Sequence, residues 1–408
     1  MGSSYPKEKI KVLLLEGIHQ NAVKTFQDAG YTNIELLSGA LPEAELIEKI
    51  KDVSIVGIRS KTQLTAKVLT AAERLWGIAA FCIGTNQIDL GTAAKQGKVV
   101  FNSPYSNTRS VAELVIAEII FLMRGIPQKN AAAHESVWLK SAKGSNEVRG
   151  KVLGIVGYGH IGTQVSVLAE SMGLKVIYYD IIPKLPMGNA TAVGSLEELL
   201  AQSDVVSLHV PSTPLTKNMI GAAEFAKMQK GKFLINLSRG NVVVIEDLKA
   251  ALESGQVGGA AVDVFPVEPK TNKDPFTTPL QGYTNVILTP HIGGSTQEAQ
   301  ENIGIDAAMK LINYLDNGST VGSHTVPELH LPKQEGTHRI LHIHQNVPGV
   351  MSKINQILSR ENINVVGQYL KTNEDIGYVV LDVREFVSQE VVNELKTLDS
   401  TIKARVLY

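Results

Sequence analysis

Three short segments of the chain each carry a side chain that can act on a carbonyl or a hydroxyl group. Arg239 lies in NLSRG, Glu268 in DVFPVEP and His291 in PHIGG. A guanidinium can hold a carboxylate with two hydrogen bonds and polarise the adjacent carbonyl. An imidazole can exchange a proton with an alkoxide, and a glutamate beside it favours the imidazolium and orients the ring. Together these groups suit hydride transfer at the hydroxyl-bearing carbon of a 2-hydroxy acid.

Each of the three residues also has a simpler interpretation. Arg239 could form a surface ion pair, Glu268 could be an ordinary turn carboxylate, and His291 could be a hydrogen-bonded core histidine. All three, however, follow apolar runs that predict strands, such as Lys232–Asn236. The carboxyl ends of parallel strands line one ligand crevice. The pattern therefore predicts that the three side chains meet.

A glycine-rich turn upstream points to a dinucleotide. Gly157-Tyr158-Gly159-His160-Ile161-Gly162 leaves the predicted strand Val152–Val156 and opens a predicted helix. In that context the glycines allow a tight turn, approach of a pyrophosphate and close packing of helix on strand. Asp180 ends the next predicted strand, where it can accept from ribose hydroxyls and repel a 2′-phosphate. This favours NAD over NADP, the alternative being a structural turn and a solvated aspartate.

Composition restricts the class of protein. The chain has 408 residues, a net charge of −1, 44% hydrophobic residues and one cysteine. This length predicts two or three domains, and the charge gives no reason to expect nucleic acid or a membrane surface as a partner. One cysteine cannot form an intrachain disulfide, and we expect no metal site. The first residues lack the apolar core of a signal peptide, so we expect a cytoplasmic protein.

The order of predicted elements indicates an α/β protein. Two βα series predict two Rossmann-like, doubly wound parallel-sheet domains, and a long helix is predicted at Gln297–Leu315. After a linker the order changes to βαββαβ, which predicts a ferredoxin-like α+β domain. Three domains are expected: residues 7–107 with 296–330 for substrate, 108–295 for NAD, and 337–408 at the carboxyl end.

These motifs, with the segments at 82–89, 101–113 and 288–296, resemble the D-isomer-specific 2-hydroxyacid dehydrogenases, and among them the branch that acts on 3-phosphoglycerate. The resemblance covers nearly the whole chain. It implies NAD-dependent oxidation of 3-phosphoglycerate to 3-phosphohydroxypyruvate, the first step of serine synthesis, and reduction of 2-oxoglutarate to 2-hydroxyglutarate as a further activity. Two alternatives stay open: a dehydrogenase for another 2-hydroxy acid, and a non-catalytic NAD(H)-sensing protein.

The resemblance assigns roles residue by residue. Arg239, Glu268 and His291 match the catalytic trio. Lys61 stands where the family often has a second arginine, and a lysine binds phosphate as a point charge without the fork of a guanidinium. The positions implied to bind NAD are Gly157, Gly159, His160, Ile161, Gly162, Asp180, Leu237, Ser238, Arg239, Asp263, His291, Gly293 and Gly294. The positions implied to bind substrate are Arg59, Ser60, Lys61, Asn107 and Lys140.

The βαββαβ unit resembles an ACT regulatory domain. The resemblance implies that His344 and Asn346 bind L-serine as an effector, together with Asn364 of a neighbouring subunit. Val347 stands where the family usually has arginine. Trp138 matches a tryptophan that packs between subunits, the alternative being an ordinary core aromatic. We therefore expect a homotetramer that is feedback-regulated by serine.

Overall fold

The computed structural model describes residues 5–269, 273–332, 336–384, 387 and 389–407. Its contacts divide the chain into two compact units. One unit comprises Met1–Ser106 and Gln300–Tyr408, and the other comprises Asn107–Ala299. Among the described residues, no helix is long and apolar enough to cross a membrane.

The first part of the chain forms a five-stranded parallel sheet in the order β2-β1-β3-β4-β5. Strands β1, β3, β4 and β5 are fully buried, as expected for a parallel sheet that is covered by helices on both faces. The elements are β1 (Val12–Leu14), α1 (Gln20–Asp28), β2 (Ile34–Leu36), α2 (Glu43–Ile50), β3 (Ile55–Ile58), α3 (Ala66–Ala71), β4 (Gly77–Ala80), α4 (Leu90–Lys95) and β5 (Val99–Asn102).

The second unit is built on a seven-stranded parallel sheet in the order β12-β11-β10-β9-β6-β7-β8. The order reverses direction between β6 and β9, which is the switch point where doubly wound sheets bind ligands. The elements are α5 (Thr108–Arg124), α6 (Ile126–His134), β6 (Val152–Val156), α7 (His160–Ser171), β7 (Lys175–Tyr179), β8 (Thr191–Ala192), α8 (Leu196–Gln202), β9 (Val205–Leu208), α9 (Ala222–Lys227), β10 (Lys232–Asn236), α10 (Ile245–Glu253), β11 (Val257–Val262) and β12 (Val286–Leu288).

The last part of the chain begins with a long helix and ends in a four-stranded antiparallel sheet of order β14-β15-β13-β16. The βαββαβ connection and this strand order are those of a ferredoxin-like domain. The predicted fold class is thus confirmed for all three sheets. The elements are α11 (Gln297–Asn317), β13 (His338–Gln345), α12 (Val350–Arg360), β14 (Val365–Thr372), β15 (Ile376–Val383), α13 (Gln389–Thr397) and β16 (Thr401–Leu407).

A buried ion pair ties this antiparallel sheet to the end of α11. Arg339 on β13 donates from Nε to Oδ1 of Asp382 on β15 (2.6 Å) and from Nη2 to Oδ2 (2.9 Å). Both side chains are completely buried. Nη1 of Arg339 donates to the carbonyl oxygen of Asn317, the last residue of α11. The guanidinium therefore makes hydrogen bonds both within the sheet and to the end of α11.

Candidate functional site

The turn between β6 and α7 has the shape that a pyrophosphate needs. Gly157 has a φ of +91°, and a Cβ there would lie 2.5 Å from the carbonyl oxygen of His209. A Cβ at Gly162 would overlap the carbonyl oxygen of Gly157. In the described part of the chain nothing lies within 4 Å of the corresponding point at Gly159, so its backbone is open to a ligand. The turn fits the phosphates of a dinucleotide at the amino end of α7, where His160 and Ile161 lie.

Asp180, directly after β7, is fixed beside this turn. Its Oδ2 accepts a hydrogen bond from the Tyr158 N–H (2.8 Å), and its Oδ1 accepts one from the Ile182 N–H (2.9 Å). The ring of Tyr158 stacks on that of Tyr178 with centroids 3.9 Å apart, which joins the turn to β7. The residues present therefore fit an NAD molecule whose ribose hydroxyls meet a partly exposed carboxylate.

His291 and Glu268 form the central contact of the site. The Nδ1–H of His291 donates to Oε2 of Glu268 over 2.8 Å, and Oε1 of Glu268 accepts from the Phe265 N–H. The hydrogen bond to Glu268 raises the pKa of His291 despite partial burial of the ring. Burial acts to raise the pKa of Glu268, but the hydrogen bonds from His291 and Phe265 outweigh it and the pKa is lowered. The pair therefore favours an imidazolium next to a carboxylate.

Arg239 is the third member of the site. It follows β10, and its Nη1 donates to the carbonyl oxygen of Ser238, while its own carbonyl accepts from Asn236. Its charge acts on the pKa of both Glu268 and His291. A Cβ on the next residue, Gly240, would overlap the backbone of Phe265, so the segments after β10 and β11 touch. The structure thus brings together the three residues that the sequence predicts to meet.

A loop that contains His291 is held by Asp263, at the end of β11. Oδ1 of Asp263 accepts from the Thr289 hydroxyl (2.6 Å) and the Ile292 N–H (2.8 Å), and Oδ2 accepts from the Gly293 N–H (2.8 Å). The carbonyl oxygen of Asp263 also accepts from the His291 N–H (2.8 Å). His291 has a φ of +55°, a conformation that is unfavourable for a residue with a Cβ. These contacts hold the loop in that conformation.

The predicted substrate turn after β3 is shaped by a residue that the sequence analysis missed. Buried Glu16 accepts the backbone N–H groups of Arg59 (3.1 Å), Lys61 (2.9 Å) and Thr62 (2.8 Å). Lys61 and Ser60 are exposed and Arg59 is half-buried. An acidic residue at the end of the apolar run that contains the first strand was the available signal. The turn belongs to the first unit, and Arg239, Glu268 and His291 belong to the second.

The two other predicted substrate residues differ in their surroundings. Asn107, which precedes α5, is buried, and its side chain occupies the space that a Cβ on Gly294 would need. Lys140 is exposed in the segment after α6. No hydrogen bond or ion pair among the described residues joins Lys140 to the residues around His291. Asn107 is therefore placed beside the proposed NAD-binding loop, whereas the role of Lys140 stays a prediction.

The predicted effector residues do not lie together in one chain. His344 is buried on β13, and Asn346 follows it, donating to the carbonyl oxygen of Asn373. His344 pairs with Gly377 at one end of β15, whereas Asn364 precedes Val365, which pairs with Val383 at the other end. Six residues of extended strand separate these ends by about 20 Å. Burial lowers the pKa of His344, which keeps its ring neutral.

Two family models match the chain. Residues 116–293 match the D-isomer specific 2-hydroxyacid dehydrogenase, NAD binding domain. Residues 340–403 match the AHAS small subunit-like ACT domain. The first match contains the glycine-rich turn and the residues from Arg239 to Gly293, and the second contains most of the antiparallel sheet.

Curated relatives match over the whole length. The chain is 56% identical over 405 residues to D-3-phosphoglycerate dehydrogenase from Haemophilus influenzae, with 99% of each chain covered. It is 49% identical to D-3-phosphoglycerate dehydrogenase 1 from Saccharomyces cerevisiae, covering 98% of this chain and 88% of that one. Among solved structures, D-2-hydroxyisocaproate dehydrogenase superposes with a TM-score of 0.69 at 26% identity, over 78% of this chain and all of the other.

Proposed function

We propose that the chain oxidises 3-phosphoglycerate to 3-phosphohydroxypyruvate in serine synthesis, because it belongs to the D-3-phosphoglycerate dehydrogenase family. This family lies within the D-isomer specific 2-hydroxyacid dehydrogenases. As a member of that family it is an NAD-dependent oxidoreductase. The observation that carries the proposed reaction is the 2.8 Å contact between His291 and Glu268. When bound, NAD⁺ supplies the acceptor for the hydride.

His291 exchanges the proton. Its Nδ1–H is held by Glu268, so Nε2 is the atom that accepts the proton of the substrate hydroxyl during oxidation and returns it during reduction. The imidazolium that forms is stabilised by the carboxylate of Glu268. The strained backbone at His291 and its support by Asp263 fix where that nitrogen lies.

Arg239 binds the carboxylate next to the reacting carbon. Its fork of N–H donors matches a carboxylate, and its positive charge polarises the carbonyl of the keto acid in the reverse direction. The charge of Arg239 also acts to lower the pKa of His291, against the larger effect of Glu268, which raises it. Arg239 therefore serves both binding and proton transfer.

The turn after β3 would bind the phosphate of the substrate. Arg59 and Lys61 add two positive charges, and Glu16 fixes the backbone that presents them. Ser60, Asn107 and Lys140 complete the proposed set. A phosphorylated substrate would place its phosphate against the positive charges of this turn. Lactate and glycerate have no phosphate to place there.

NAD would be held by residues that follow five strands of the second unit, β6, β7, β10, β11 and β12. The glycine-rich turn would bind the pyrophosphate and Asp180 the adenosine ribose. The carboxylate of Asp263 already accepts hydrogen bonds from the loop that contains His291, so it contributes to the nicotinamide end by fixing Gly293. The remaining positions near the nicotinamide are Leu237, Ser238, Arg239, His291, Gly293 and Gly294.

Regulation and assembly form a further part of the proposal: L-serine binds between the ACT domains of a cytoplasmic homotetramer. The distance between His344 and Asn364 within one chain supports a site shared by two copies. Trp138 supports an interface because it is 85% exposed, which excludes the alternative of a core aromatic. Val347 is 47% exposed and offers serine no charge where the family usually has arginine.

A substrate panel tests the proposal. NADH formation is measured with 3-phosphoglycerate and with D-glycerate, D-lactate and D-2-hydroxyglutarate, at equal concentrations, with and without millimolar L-serine. We expect 3-phosphoglycerate to be preferred, and Lys61→Ala to reduce the preference. Equal rates for 3-phosphoglycerate and glycerate would contradict the phosphate site. A rate that serine leaves unchanged would contradict the regulatory site.

A further inference from the structure

Glu118 lies in the middle of α5, and the proposed mechanism does not use it. Its side chain is buried, with 1% of the residue exposed. Neither of its carboxyl oxygens receives a hydrogen bond from any residue that the structure describes. A buried carboxylate without donors is costly, so the group takes up a proton instead. Burial, together with the charge of Asp263, raises the pKa of Glu118 to about 8.

Asp263 has the opposite surroundings. Its two oxygens accept three hydrogen bonds from Thr289, Ile292 and Gly293, which is the arrangement of a carboxylate. Helix α5, which carries Glu118, packs against β11, the strand that Asp263 follows. Two buried carboxyls placed in this way cannot both carry charge without strong repulsion, and Glu118, which has no donors among the described residues, is the one that keeps a proton.

We propose that Glu118 is a positioning residue, whose neutral form puts no repulsion on the Asp263 carboxylate and so lets it hold the loop of His291. The inference rests on the proposed function only for the reaction that His291 performs. If Glu118 ionised, its repulsion of the Asp263 carboxylate would be relieved by movement of Asp263 and of the loop that it holds. That movement removes the acceptors of the Ile292 and Gly293 N–H groups and releases the strained backbone of His291.

Other charged groups lie on α5 and on the elements packed against it. On α5 itself, Arg109 and Glu113 form an exposed ion pair, and Arg124 is exposed at the end of the helix. On β10, Lys232 is paired with Asp204. The remaining titratable groups on helices packed against α5 are His160 and Glu170 on α7, and Lys129 and His134 on α6. Burial and Asp263 are the two influences that shift the pKa of Glu118.

The test compares Glu118→Gln, a neutral residue of the same shape, with Glu113→Gln, a control on the exposed face of the same helix. We expect kcat for 3-phosphoglycerate oxidation by the wild type and by Glu113→Gln to fall above about pH 8, the pKa of Glu118. Glu118→Gln should lose that fall. An unchanged alkaline fall in Glu118→Gln would overturn the proposal. If that variant does not fold, Glu118→Met, which keeps the volume, replaces it.

Two readouts need no substrate and separate this inference from the proposed function. Infrared spectroscopy should detect a protonated carboxyl band near neutral pH in the wild type that disappears by pH 10 and is missing in Glu118→Gln. The NMR signals of the His291 ring should show a second titration step near pH 8 that Glu118→Gln lacks. A wild type that shows both signals but oxidises no 3-phosphoglycerate contradicts the proposed function and supports the placement of Glu118. Absence of both signals from the wild type contradicts the inference whatever the activity.

Discussion

The Nδ1 atom of His291 lies 2.8 Å from Oε2 of Glu268, and this hydrogen bond is the largest influence on the pKa of the histidine. It raises that pKa above the ordinary value of 6.5. Oxidation of a hydroxyl needs the neutral imidazole, whereas reduction needs the imidazolium. The pH dependence of the two directions therefore reports on this one contact.

Glu268→Gln should shift both pH profiles downwards. Without the carboxylate the pKa of His291 falls. The oxidation rate should therefore begin to rise at a lower pH than in the wild type, and the reduction rate should also be lost at a lower pH. The loss of orientation should also reduce kcat by about tenfold or more. Profiles of kcat in both directions measure these effects. An unchanged midpoint in both profiles would show that Glu268 does not control His291.

Asp180→Ala should change the choice of cofactor. The variant loses the acceptor for the ribose hydroxyls and the charge that repels a 2′-phosphate, so the ratio of kcat/KM for NAD⁺ over NADP⁺ should fall about tenfold or more. Glu197→Ala, an exposed acidic residue on α8, is the matched control. The interpretation of Asp180 fails if the variant discriminates against NADP⁺ as strongly as the wild type does.

Glu16→Gln should weaken substrate binding without affecting NADH. The carboxylate accepts three backbone N–H groups, and an amide with a single acceptor oxygen leaves at least one of them without a partner. The KM for 3-phosphoglycerate should rise several-fold while the Kd for NADH, measured by fluorescence, stays unchanged. Glu45→Gln, exposed on α2, is the control. A KM equal to that of the wild type would exclude this role.

Asp382→Asn should destabilise the carboxyl-terminal domain. The substitution removes the negative charge that faces the buried guanidinium of Arg339, a change that typically costs about 3 kcal/mol or more. Urea unfolding should show a lower midpoint, and Asp375→Asn, an exposed position in the same domain, should not. If Asp382→Asn unfolds at the same urea concentration as the wild type, the ion pair does not stabilise this junction.

Stability should also depend on pH through Glu118. The folded protein retains a proton that the unfolded chain releases above the ordinary pKa of 4.5, so the wild type loses stability as the pH rises from there to about 8. The Tm of Glu118→Gln, relative to that of the wild type, should therefore increase over this range and level off above it. A Tm difference that does not change between pH 5 and pH 8 would contradict a raised pKa.

Elements with long apolar runs could be predicted from the sequence. Strand β10 has the predicted bounds Lys232–Asn236, and α11, predicted over Gln297–Leu315, extends only to Asn317. The short helix α4, strand β5 and helix α6 gave no such signal. Helix α6 has no buried residue and hence no apolar face, and β5 is a run of only four residues. The contacts of the surrounding chain, rather than periodicity, define these elements.

The candidate site was predictable where residue type alone indicates chemistry. Arg239, Glu268 and His291 follow strands whose ends meet, so the rule for parallel sheets was enough to bring them together. Glu16 and Asp263 act through backbone N–H groups of distant loops, and no local pattern marks those partners. Likewise, the distance between His344 and Asn364 depends on strand register, which only the folded sheet defines.

The most direct test of the central claim is the turnover of 3-phosphoglycerate by the wild type and by His291→Asn, with NADH affinity measured on the same samples. We predict that the wild type forms NADH from NAD⁺ and 3-phosphoglycerate, and that kcat falls at least about 100-fold in the variant while the Kd for NADH is unchanged. A wild type that binds NADH but turns over no 2-hydroxy acid, or a His291→Asn variant with undiminished kcat, would contradict the claim.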